Sequence, residues 1–130
     1  MADTARLIAA LAERLRETLP ASEFGVEEDG HAVTVRALAS RHAGSTLRLS
    51  GVMMLKLPLP ASIRLRVFFE NEADSVQEFV SRVQGKAWPA LGAKPHADLN
   101  DDEVHVWYGT GEEATAALRW QPFNRSELRL

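Results

Sequence analysis

Three observations predict an α+β domain: one antiparallel β-sheet of five to six strands with two helices packed on one face. Leu7, Leu11 and Leu15 stand four apart within residues 4–19, and Ile8, Ala12 and Leu19 widen the stripe, as in an amphipathic helix. Apolar and polar residues alternate through 32–39, 46–50 and 103–108, the period of strands buried on one side. Short turn sequences separate several of these runs, which favours antiparallel neighbours over crossover connections.

The first helix is expected over 4–19, where Arg6, Glu13, Arg14, Arg16 and Glu17 occupy its wet side and Pro20 ends it. Strands follow over 23–28 and 32–39, joined at Asp29-Gly30, a strong tight-turn pair. Val33, Val35 and Ala37 then share the inner face of the second strand, with Thr34 and Arg36 on the other. Leu47 and Leu49 alternate with Arg48 in a third strand over 46–50. Val52, Met53, Met54 and Leu55 form an apolar run that leads through Leu57 to Pro58 and Pro60, residues unable to donate to a ladder.

The most regular alternation lies at 63–69, where Ile63, Leu65, Val67 and Phe69 fall on one side and Arg64, Arg66 and Phe68 on the other; it predicts a fourth strand. Ser75 and Glu78 have the spacing of a capping box and predict that the second helix starts there. Val76, Phe79, Val80 and Val83 continue it, and Gly85 stops it. Residues 86–102 carry two prolines and little periodicity, and read as a long loop held to the body by Trp88 and Leu91. The last strands are expected over 103–108 and 114–122, and the tail from Phe123 shows no pattern. The resulting order, α-β-β-β-β-α-β-β, resembles small bacterial secretion-chaperone domains in topology alone, a likeness that carries no residue with it.

The 130 residues fit a single domain, 1–130, able to bury a core without covalent staples. The absence of cysteine excludes disulfides, thiolate metal sites and cysteine nucleophiles. Charges run through the apolar repeat at the N-terminus, and the longest uncharged apolar run, 52–55, is far too short to cross a bilayer. Neither a signal peptide nor a membrane span is therefore expected, and a cytoplasmic location is the default; a homodimer is expected through the 52–57 run. The frequent Ala, Arg and Leu suggest a GC-rich bacterial genome. The net charge of −3 conceals segregation: residues 31–69 hold six Lys or Arg and no acid, whereas 70–115 hold ten acids and three bases.

On the predicted sheet the outer face would carry Thr34, Arg36, Thr46, Arg48, Arg64, Arg66, Phe68, His105, Trp107, Arg119 and Gln121. Arg36, Arg48, Arg64, Arg66, His105, Trp107 and Arg119 are therefore the expected ligand-binding residues. Guanidinium forks match carboxylates or phosphates, and exposed rings can stack on bases. The expected function is a small non-enzymatic, adaptor- or chaperone-like module that binds an acidic segment of a partner protein. Self-association through the 52–57 run is the second contact expected. A nucleic-acid or other anionic-ligand binder is the alternative, disfavoured by a pI of about 5.8. No cofactor or metal is expected: Asp98-x-Asn100-x-Asp102 begins like a calcium loop, but Glu103 stands where its turn glycine belongs. No hydrolase, phosphate-loop or metalloprotease motif is present, and a catalytic reading would require a polar pocket around His105 or His42.

Overall fold

A computed structural model describes residues 2–39, 41–50, 55 and 57–128. The chain is α+β, with two long helices and two three-stranded antiparallel sheets among the described residues, and it divides into two compact units: Met1–Ser50 with Phe123–Leu130, and Gly51–Pro122. The first correction to the sequence reading is here, since the single sheet of five to six strands is two separate sheets.

In the first unit, α1 (Ala2–Thr18) lays Leu7, Ile8, Leu11 and Leu15, all essentially inaccessible, on the sheet formed by β1 (Phe24–Glu28), β2 (Val33–Ala37) and β3 (Thr46–Leu49). The helix stripe and the strand alternation meet: Phe24, Val33, Val35, Ala37 and Leu49 are buried. Val35 pairs with Val26 and Leu47, and Thr34 with Glu27 and Arg48, so the outward parity expected for Thr34, Arg36, Thr46 and Arg48 holds. Asp29 Oδ1 closes the β1–β2 turn by accepting from the N–H groups of His31 and Ala32, both at 2.9 Å, while Gly30 supplies the positive φ of 86°. Those two N–H groups, with Arg48 3.5 Å away, hold the Asp29 carboxyl below its usual range. The tail, patternless in sequence, belongs to this core: Phe123 is inaccessible beneath the Arg14 guanidinium.

The second unit is built on α2 (Ala61–Gln84), and here the reading of 63–69 as a strand is overturned. Alternation over seven residues competes with a 3.6-residue period sustained across the whole segment. Leu65, Phe68, Phe69, Ala73, Val76, Phe79, Val80 and Val83 form one buried stripe, while Ile63 stands 37% exposed and Val67 half-buried. A strand would have buried only its four alternate residues. Phe68, expected to face outward, is inaccessible and meets Phe69 edge-on at 4.9 Å. Pro60 precedes the first turn, with its carbonyl accepting from the N–H groups of Ile63 and Arg64. Ser75 and Glu78 are therefore mid-helix rather than a capping box, and Gly85, at φ 71°, ends the helix as expected.

The second correction concerns 86–102. Only its first part is a loop; β4 (Lys94–Asn100) pairs along its full length with β5 (Glu103–Gly109). A two-residue turn joins them at Asp101 and Asp102, whose φ values of 52° and 64° are those of a primed hairpin turn. The loop is held by Gln77, whose Nε2 donates to the carbonyls of Trp88 (3.1 Å) and Ala93 (2.7 Å), and by Trp88 lying edge-on to Tyr108. Leu91, expected to pin it, is 92% exposed. The strand expected over 114–122 shrinks to β6 (Leu118–Arg119), preceded by a 3₁₀ turn at Glu113–Thr115. Helix α2 packs on the inner face, where Ala97, Val104, Val106, Tyr108 and Trp120 are buried, and the Tyr108 hydroxyl donates to Ala73 O at 2.9 Å. Of the 52–57 run, only Leu55 and Leu57 fall within the described residues; Val52, Met53, Met54 and Lys56 lie outside them.

Candidate functional site

The opposite, outer face of the β4–β5–β6 sheet holds the site. Register places His96 across from Trp107, Asp98 across from His105, and Asn100 across from Glu103, with Arg119 beside Trp107 on the other flank. Their parity follows from Ala97, Val104, Val106 and Tyr108 pointing into the core. His96 and Trp107 stack, with ring centroids 5.4 Å apart and planes 21° from parallel, and His96 Nε2 donates to Gly109 O at 3.3 Å.

The β5–β6 connection folds back over this face. A Cβ on Gly109 would come within 3.2 Å of Ala116 Cα, so glycine permits the close return of the chain. Trp107 Nε1–H donates to Gly111 O at 2.9 Å, and Ala117 N–H to Tyr108 O at 2.8 Å. With both ends tied, Glu112 and Glu113 are brought to the rim. His105 Nδ1–H donates to Glu113 Oε2 at 3.0 Å, since a carboxylate can only accept, and this bond orients the ring. The other ring nitrogen lies 3.6 Å from Glu103 Oε1. Asp98, Asn100, His105, Trp107, Glu112 and Glu113 enclose a pocket of about 260 Å³.

The seven residues expected to bind a ligand divide three ways. His105, Trp107 and Arg119 share this outer face, as expected, with the first two lining the pocket. Arg36 and Arg48 lie on the outer face of the β1–β2–β3 sheet, in the other unit. Arg64 and Arg66 belong to the first turns of α2, where Arg64 Nη1 donates to Leu55 O at 3.0 Å and Arg66 is exposed. One continuous arginine-bearing sheet face is therefore not what the chain forms.

Asp98, Asn100, Glu112 and Glu113 were not among the expected site residues. The outward parity of Asp98 and Asn100 is written in the alternation with Ala97 and Leu99, but only once 94–100 is taken as a strand. The return of Glu112 and Glu113 over His105 has no local signature. Among the described residues no group of three or more His, Asp or Glu side chains has the geometry of a metal site. None of the described helices is long and apolar enough to cross a membrane. No family model, curated protein or solved structure matches the chain.

Proposed function

We propose that the chain is a non-enzymatic interaction module that holds a segment of a partner protein on the outer face of the β4–β5–β6 sheet. The observation that carries this reading is the pocket itself: a concave polar site, lined by an aromatic ring and an oriented imidazole, between the sheet face and the returning β5–β6 connection. Catalysis is the weaker reading of the same geometry. A histidine oriented by a carboxylate is half of a general-base arrangement, but the lining has no hydroxyl, thiol or amine nucleophile. Its carboxylates would also oppose the negative charge that develops in acyl or phosphoryl transfer. Nucleic acid is disfavoured for a related reason: the arginines that would meet phosphates are dispersed over different elements, and the pocket is acidic.

Titration of ¹⁵N-labelled protein with short acidic, basic and apolar peptides at low salt tests the reading. Amide shifts confined to β4, β5 and residues 110–113 are the expected outcome. Shifts on β1–β3 alone, or with single-stranded DNA and no peptide, would move the site elsewhere.

A further inference from the structure

We infer that the partner segment presents a cationic side chain, an arginine or lysine, to the pocket formed by Asp98, Asn100, His105, Trp107, Glu112 and Glu113. The inference rests on the functional reading above and names the chemistry recognised there. Carboxylates alone would make a solvated rim. What distinguishes this place is that they border a concavity of about 260 Å³ with an indole in its wall. The Trp107 N–H is already used by Gly111 O and one face of the indole is stacked on His96, so what the ring offers a ligand is the part of its apolar, π-rich surface left in the pocket wall, which attracts cations.

The lining holds no lysine or arginine of its own to neutralise it. Among the described residues none forms an ion pair with Asp98, Glu112 or Glu113, and the only ring in the lining that meets one of these carboxylates is the His105 imidazole, which donates to Glu113. Arg119 stands beside Trp107 in register but is not part of the lining. An anionic ligand would meet three carboxylates at close range. A bare metal ion lacks a ligand set, as the absence of any metal-spaced group among the described residues indicates. A guanidinium or ammonium on a stem fits both parts: carboxylates and the Asn100 carbonyl accept its N–H groups, and the indole borders its apolar stem. The pocket opens on a sheet face rather than in a closed cavity, so the cation can arrive as a side chain of another chain.

The test uses the full chain and four blocked peptides, Gly-Ser-X-Ser-Gly, with X as arginine, lysine, citrulline or glutamate, followed by amide shifts at residues 96–113. The arginine and lysine peptides are expected to bind, and the neutral isostere citrulline at least tenfold more weakly. E112Q/E113Q is expected to weaken arginine-peptide binding at least tenfold. The control E17Q/E78Q removes the same charge from exposed positions on α1 and α2 and is expected to leave binding unchanged. Asp98→Asn, on the strand rather than the loop, gives the same loss if the loop variants are misfolded. Citrulline or glutamate binding this face as tightly as arginine would overturn the inference while leaving the interaction site standing. Equal losses in E112Q/E113Q and E17Q/E78Q would reduce the effect to overall charge and overturn it too. No shift on this face with any of these peptides, or with the acidic, basic and apolar set, would remove the functional reading itself.

Discussion

Two charged side chains are buried among the described residues, Arg14 and Glu72, and their surroundings treat them in opposite ways. Arg14 forms a fork with Glu127, each of two nitrogens 2.7 Å from a carboxylate oxygen, and covers the Phe123 ring at 4.5 Å. Burial alone would raise the Glu127 carboxyl. The hydrogen bond from Arg14, the Asn124 N–H and the Arg14 charge outweigh it and hold that pKa below 4.5. A depressed carboxylate contributes stability that is present above pH 4.5 and lost as the pH falls through the folded value. Glu127→Gln should therefore cost about 2 kcal/mol at pH 7 and progressively less at acid pH, with Arg14→Met/Glu127→Leu recovering much of the loss. Urea unfolding of the three chains at pH 7 and pH 3 checks this. Glu72 sits in the apolar stripe of α2 with Oε2 buried and making no hydrogen bond, and burial pushes its pKa up to about 7. Here the sign reverses: the contribution is full below about pH 4.5 and is lost as pH rises through 7. A shift of that size corresponds to roughly 3 kcal/mol. Glu72→Gln should be near-neutral at pH 4.5, stabilising by about 2 kcal/mol at pH 8, and should flatten the decline between them. Equal effects of the substitution at both values would show that the carboxyl is not protonated on folding.

At the scale of elements, legibility in the sequence depended on whether one period had a rival. Strands β1 to β3 and helix α1 were legible because nothing competed: Val33, Val35 and Ala37 have no helical continuation, and Leu7, Leu11 and Leu15 no alternating one. Residues 63–69 satisfy both periods, and the more regular short pattern assigns the arginines at 64 and 66 to the outer face of a strand. The helix prevails over the full segment, since extending to Val83 buries eight apolar residues on one stripe. Strand β4 was hidden for a different reason. It is an edge strand, which tolerates Pro95, and its hairpin turns on Asp101-Asp102 instead of the Asn-Gly or Asp-Gly that announces such a turn. That substitution has an energetic signature. A left-handed φ of 64° at Asp102 is unfavourable for a side chain and open to glycine, so Asp102→Gly should stabilise the β4–β5 hairpin by about 1 kcal/mol. Thermal unfolding together with hydrogen exchange of the β4 and β5 amides measures it. Unchanged protection in those strands would mean that the turn carries no strain.

For the molecule as a whole, chain order and spatial order differ. The first unit is left at Ser50 and re-entered at Phe123, after the entire second unit has been made. Its core is therefore completed by the last residues of the described chain: inaccessible Phe123, Glu127 against buried Arg14, and Ser126, whose carbonyl accepts from Arg6 at 3.3 Å. Asn124 locks this segment locally, its side chain accepting from Glu127 N–H at 3.1 Å and from Ser126 Oγ at 2.7 Å. A tail that looks patternless thus owes its place to three contacts with one face of α1, more than a hundred residues away, which no local window can register. Deleting 123–130 removes the buried ring and strands the Arg14 guanidinium without its carboxylate, a loss of about 3–5 kcal/mol. The expected result is selective. Amides of α1 and β2 should lose hydrogen-exchange protection and α1 should fray, while the β4–β5 amides and the His105–Glu113 hydrogen bond, which share no residue with the tail, keep theirs. Loss of protection in both units together would mean that they unfold as one cooperative body; retention in both would mean that the tail contributes little to the first core.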